Sequence, residues 1–115
     1  MKETQLLKGV LEGLILSIIK KRSVYGYELI QIMRHYGFTT IIGGTIYPIL
    51  QKLEKQGCIS GRTLPSPDGP DRKYFFITEK GEEQLASFIE QWRSLNVKVN
   101  RILEDKKGSA QSDGK

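Results

Sequence analysis

A chain of 115 residues holds one domain's worth of core and not two independent ones. Its 38% hydrophobic content and 12 glycines exclude a wholly disordered chain, and the longest apolar stretch, Leu6 to Ile19, is interrupted by Lys8 and Glu12 and is too short to cross a bilayer. No small-residue cleavage signal follows it, so a cytoplasmic protein is expected; one cysteine, Cys58, excludes an internal disulfide, and one histidine, His35, leaves too few soft ligands for structural zinc.

Charge is unevenly placed. Residues 1–57 carry eight Lys/Arg against four Asp/Glu, residues 58–77 three against two, and residues 78–115 seven against seven. The whole net charge of +5 therefore precedes residue 78. That fits a polyanion-facing part followed by a neutral one, although many basic proteins bind no nucleic acid.

From Gln5 to Lys20, the residues Leu7, Val10, Leu11, Leu14, Ile15 and Ile18 recur at helical spacing and predict the inner face of a first helix. Lys20, Lys21 and Arg22 close it, where cations complement the helix dipole. Ser23 offers an N-cap for a second helix over Val24–Tyr36, with Tyr27, Leu29, Ile30 and Met33 inward, and Gly37 ends it. Gly43 and Gly44 precede Thr45, an N-cap candidate for a third helix that runs to Gln56 and stops at Gly57. Pro48 falls in its first turn, where a missing N–H costs little. Beyond Gly57, Cys58–Leu64 and Arg72–Ile77 read as two strands joined by a long Pro- and Gly-rich tip over residues 65–71. Thr78 N-caps a long helix to about Leu103, with Glu79, Glu82 and Glu83 in its first turn, and the polar tail Lys106–Lys115 is expected to be disordered.

Three helices, a hairpin and a long helix predict an α+β, mainly α chain. It divides into a winged helix-turn-helix over residues 1–77, a C-terminal dimerisation helix over 78–105 and a tail over 106–115. Winged helices read DNA, but they also dock proteins, so the fold by itself leaves both functions open.

At about 100° per residue, Ile46, Ile49, Leu50 and Leu53 form the packed face of the third helix. Tyr47, Pro48, Gln51, Lys52 and Lys55 lie opposite. A solvated face would be polar in any protein, but Tyr47 and Pro48 are poor choices for solubility. With Thr45 at the start of the helix, this face supplies the candidate DNA contacts, amide and aromatic groups for base edges and ammonium groups for phosphates. Arg62, Arg72 and Lys73 sit on or beside the hairpin, where Arg72 and Lys73 are candidate phosphate ligands; Asp68 and Asp71 at the tip oppose that role.

On the long helix Leu85, Phe88, Trp92, Leu95, Val99 and Ile102 follow alternating steps of three and four, a coiled-coil seam that Ile89 widens. About 25 residues at 1.5 Å each span nearly 40 Å, more than a domain of this size covers, so part of the stripe calls for a second chain. A helix folded back on the first helix of its own chain is the competing reading. Trp92 suits plain packing in such a seam, and two symmetry-related indoles would also make a flat slot for an aromatic effector. An enzyme is not expected: no serine or cysteine has a base at hand, and Gly43-Gly44 is followed by no Lys-Ser/Thr pair.

Four ordered blocks carry a family resemblance: Val24-Tyr25-Gly26-Tyr27-Glu28-Leu29, Gly44-Thr45-Ile46-Tyr47-Pro48-Ile49-Leu50, Leu53-Glu54-Lys55-Gln56-Gly57, and Arg72-Lys73-Tyr74 with Ile77-Thr78-Glu79-Lys80-Gly81. From about Leu6 to Leu103 the chain closely resembles the PadR family of bacterial transcriptional regulators. The resemblance implies a homodimeric winged-helix repressor on a pseudo-palindromic operator, often released by small aromatic or drug-like effectors, in the short form with a single C-terminal dimerisation helix. It implies DNA contacts for Tyr47 and the polar face of the third helix and a wing role for Arg72 and Lys73. Phe88-Ile89-Glu90-Gln91-Trp92 is similar to the short multidrug-sensing members, which implies an effector role for Trp92, with Phe88 beside it. No cofactor is implied. Asp71 stands where a basic or proline residue is common, and Phe75 replaces a frequent tyrosine. The expected function is a DNA-binding repressor of a neighbouring transporter or detoxification operon; the alternative is a winged-helix protein-interaction module with no operator of its own.

Overall fold

A computed structural model describes residues 3–106, so the tail beyond Lys106 lies outside the described residues. In chain order the elements are α1 (Glu3–Leu7), α2 (Leu11–Lys21), β1 (Val24–Tyr25), α3 (Gly26–His35), α4 (Gly43–Lys55), β2 (Ile59–Ser66), β3 (Gly69–Ile77) and α5 (Glu79–Leu103). This is a winged helix-turn-helix followed by a long C-terminal helix. Two compact units divide inside α5, between Leu85 and Ala86. Among the described residues no helix is long and apolar enough to cross a membrane.

In the first unit the helices and a three-stranded antiparallel sheet of order β1-β3-β2 enclose one apolar core. Ile15, Leu16, Leu29, Met33, Ile46, Leu50 and Leu53 are each at most 1% exposed, and none of the described charged side chains is buried. Both central helices end in the same way. Gly37 and Gly57 take positive φ (105° and 81°) and donate to the carbonyls of Arg34 and Glu54, while Phe38 and Cys58 donate to those of Met33 and Leu53. These are paired bonds that need a residue free of a Cβ at the left-handed position. Arg34 then closes the turn between α3 and α4, donating from Nε and Nη2 to the Ile41 carbonyl at 3.2 and 2.9 Å.

Several boundaries differ from those expected. The first helix is broken by a turn at residues 8–10, where Val10 donates to Leu7 at 2.9 Å, because Gly9 is a poor helix former in a short, exposed turn. The buried face of α2 is accordingly Leu11, Ile15, Leu16 and Ile19, with Leu14 and Ile18 only half-buried. Val24 and Tyr25 are not helical: they pair with Phe75 and Tyr74 as a third strand, so α3 starts at Gly26 without the Ser23 cap and Tyr27 points outward, 59% exposed. Helix α4 begins at Gly43 behind an extended Ile42, not at a Thr45 cap, so Pro48 is its sixth residue. The bond that Pro48 forgoes would have gone to Gly44, which is exposed and open to water. The wing is longer than expected. β2 and β3 run on to a Ser66–Gly69 pair with only Pro67 and Asp68 between, and Pro65 sits at a register irregularity on an edge strand, where a missing N–H is tolerated.

Thr78 caps α5 as expected. Its Oγ1 accepts from the Gly81 N–H at 3.1 Å and donates to the Gly57 carbonyl at 2.6 Å, while the Thr78 N–H donates to Cys58 at 3.1 Å. The first turn of α5 is thereby fastened to the turn that ends α4. Gly81 is where the two backbones meet: a Cβ there would overlap the Cys58 carbonyl oxygen and come within 2.9 Å of Ile77 Cγ1. Replacing a helical glycine by alanine ordinarily stabilises by about 1 kcal/mol. At Gly81 the expected result is the reverse, a loss of roughly 1–3 kcal/mol in chemical denaturation from overpacking against rigid backbone; a Gly81→Ala variant more stable than the parent would contradict this packing.

Candidate functional site

The outward face of α4 is set by what its other face buries. With Ile46, Leu50 and Leu53 locked in the core, Tyr47, Pro48, Gln51, Lys52 and Lys55 are all exposed, as anticipated. Tyr47 is not a loose surface side chain. Its ring lies between two glycines, so that a Cβ at Gly26 would overlap the ring and one at Gly43 would come within 2.8 Å of Cε2. Two backbones therefore grip the ring and aim its hydroxyl, which saves much of the ordering cost of a free aromatic.

Ion pairs tether both flanks of the helix. Lys52 donates to Glu12 Oε2 on α2 at 2.6 Å, and on the other side Lys73 of β3 donates to Glu54 Oε1 at 2.9 Å. Lys55 stands exposed between them, beyond Gln51. Thr45 is half-buried on the α2 flank, lining a small depression with Lys8, Leu11 and Ile41, and is not grouped with Tyr47 and Gln51.

Between α4 and the wing a cleft of about 340 Å³ is lined by Tyr25, Tyr27, Tyr47, Gln51, Arg72 and Lys73, among others. The wing side is aromatic and cationic. The Arg72 guanidinium lies 4.5 Å from the centre of the Tyr25 ring, which meets Tyr74 edge-on at 5.3 Å; elsewhere on the hairpin, outside the cleft lining, Arg62 lies 4.5 Å over Phe76. Such stacking holds a guanidinium in place without neutralising it. The structure thus brings together Tyr47, Gln51, Arg72 and Lys73, and it adds Tyr25, Gly26, Tyr27, Glu54 and Phe75, which the sequence had not placed in the site. The Tyr25-Gly26-Tyr27 run was the available signal for the first three. Glu54 is legible only as the helical successor of Tyr47 and Gln51 on one stripe.

The second unit carries the other candidates. Leu85 is buried within the first unit. Beyond the boundary, Phe88 and Ile89 are half-buried, and Trp92, Leu95, Val99 and Ile102 are 43–78% exposed along one stripe. Polar rungs at i, i+4 brace the helix, Gln91 to Ser87 at 2.9 Å and Asn100 to Asn96 at 2.6 Å.

Known proteins are similar to this chain in sequence and fold. Residues 15–87, more than half the chain, match the Transcriptional regulator PadR-like family. A Streptococcus transcriptional regulator of known crystal structure is 57% identical, with a TM-score of 0.81 over 89% of this chain and 100% of its own. A PadR-like transcriptional regulator from Bacillus cereus is 46% identical, with a TM-score of 0.82 over 89% and 99%. A PadR family transcriptional regulator from Eggerthella lenta is 30% identical, with a TM-score of 0.80 over 89% and 88%.

The seat of Tyr47 makes a direct test. Gly26→Ala should cost roughly 1–3 kcal/mol in the parent chain, because the methyl needs the space of the ring, and little in a Tyr47→Ala background. Equal costs in the two backgrounds would show that Gly26 does not seat the ring.

Proposed function

Because the chain belongs to the PadR-like family of transcriptional regulators, we propose that it is a homodimeric repressor that lays α4 into the major groove of a pseudo-palindromic operator and is released by a small aromatic or drug-like effector. The observation that carries the DNA-binding half is the outward face of α4. Tyr47 and Gln51 stand where a recognition helix meets base edges, and Lys55 stands further along, where phosphates run. Pro48 adds apolar contact surface. Lys52 reaches a phosphate on exchanging Glu12 for it, and Arg72 and Lys73 set the wing beside the duplex. Thr45 contributes from the flank of the helix. Proteins of this family act in transcription and not in catalysis, and a protein that reads chromosomal DNA works in the cytoplasm.

The dimer half is supported by the stripe of α5. Four large apolar side chains exposed at coiled-coil spacing, Trp92, Leu95, Val99 and Ile102, lose that exposure when a second α5 lies against them, with half-buried Phe88 and Ile89 extending the seam; Leu85, expected in it from the spacing, is instead buried in the core of its own chain. Two-fold pairing gives two reading helices whose spacing is one turn of DNA. Near such an axis Trp92, one turn from Phe88, offers an indole face to a planar ligand. A ligand that favours one arrangement of the two subunits changes operator affinity by the same coupling.

Salt separates this reading from protein docking. Affinity for duplex DNA should fall steeply as salt rises, and Lys55→Ala should weaken binding to all sequences and make the log–log slope shallower by about one. Tyr47→Ala should also relax sequence choice. A salt-independent affinity would favour a protein-interaction module instead. For the effector, a planar aromatic cation or a phenolic should quench the fluorescence of Trp92, the chain's one tryptophan, and lower operator affinity in step. Quenching with operator affinity unchanged would contradict a switch.

A further inference from the structure

Glu54 sits seven residues after Tyr47 and three after Gln51, on the same stripe of α4. A bare carboxylate there would face a polyanion at a cost. It is not bare: Lys73, from β3, donates to its Oε1 at 2.9 Å, with Nζ 5.5 Å from the centre of the Phe75 ring. The lysine reaches it over Gly61 of β2. A Cβ at Gly61 would overlap Lys73 Cε and come within 2.8 Å of Glu54 Oε2, so the pair occupies the space left by a missing side chain. The register places Gly61 opposite Phe75 and Thr63 opposite Lys73, so the lysine crosses the hairpin diagonally toward the helix. Three elements, α4, β2 and β3, thus meet at one ion pair.

We propose that Glu54 and Lys73 form an ionic latch that fixes the angle of the wing to the recognition helix, and that Lys73 acts through Glu54 as a positioning residue, not as a phosphate ligand. The inference rests on the DNA-binding reading and deepens it. On turning to a phosphate Lys73 would abandon both Glu54 and the Phe75 ring, and it would leave the carboxylate uncompensated beside the DNA. The pair is too exposed, at 50% and 33%, for its main effect to lie in stability. Its effect lies in orientation. Arg72, whose guanidinium stacks on Tyr25 and makes no ion pair among the described residues, keeps the phosphate-facing role on the wing.

Two measurements on the full-length chain test this. The first uses a duplex enriched by the parent protein from a random-sequence pool, with sonicated genomic DNA as the non-specific probe. Glu54→Gln and Lys73→Gln should each weaken binding to the enriched duplex by roughly three- to tenfold, the double variant should be no worse than either, and the charge swap Glu54→Lys with Lys73→Glu should recover most of the loss. The salt slope should not move. A Lys73→Gln variant whose slope drops by about one, or a Glu54→Gln variant that binds every duplex more tightly, would make Lys73 a phosphate ligand and overturn the latch. The second needs no DNA. Backbone ¹⁵N order parameters of β2 and β3 in the free protein should fall in both single variants and in Gly61→Ala, whose methyl takes the space of the lysine stem, and should recover in the swap. Order parameters unchanged in all three overturn the latch. If no duplex is enriched, the DNA-binding reading fails while this second measurement still decides the latch.

Discussion

One face of α4 makes the rest possible. Ile46, Leu50 and Leu53 are at most 1% exposed, and that complete burial fixes the rotation of the helix about its axis. A helix that was free to roll would average its outward side chains over many directions. Here Tyr47, Gln51 and Lys55 have one, and burial of three large side chains, at roughly 1.5–3 kcal/mol each, is what holds it. The glycines at 26 and 43 refine the same constraint, because they let two backbones close on the Tyr47 ring. Ion pairs to Glu12 and Lys73 on the two flanks are exposed and weak by comparison; they steer, and the core holds.

Much of this was legible in the amino-acid order. The apolar spacing of Ile46, Ile49, Leu50 and Leu53 gave the buried face of α4, with Ile49 only half-buried at its edge, and hence the outward face, while Gly37 and Gly57 marked the helix ends and Thr78 marked the start of α5. What was not legible depended on residues far apart in the chain. Val24 and Tyr25 pair with Phe75 and Tyr74, and a two-residue strand has no period of its own to read. That strand shifts the start of α3 and turns Tyr27 out to solvent. The wing ran past its prolines because Pro65 lies at an irregularity on an edge strand, a position that pattern alone does not reveal.

The site shows the same division. Its α4 side follows from helical period, whereas its wing side depends on which strand positions come opposite one another. Lys73 and Arg72 are neighbours in sequence, and charge alone gives them equal roles. In the fold one is drawn over Gly61 to a carboxylate and the other is stacked on an aromatic ring, with no ion pair among the described residues. Thr45 shows the converse. It is close to Tyr47 in sequence, but it lies on a flank beside Lys8 and Leu11, away from the cleft.

These parts work as a DNA reader only if two recognition helices, held through the paired stripes of α5, face the same side of one duplex. Hydroxyl-radical footprinting of the protein on a duplex that it selects tests that arrangement most directly. Two protected patches are expected on one face of the DNA, about ten base pairs apart from centre to centre and lost together as protein is diluted. A single protected patch, or two patches on opposite faces, would contradict it.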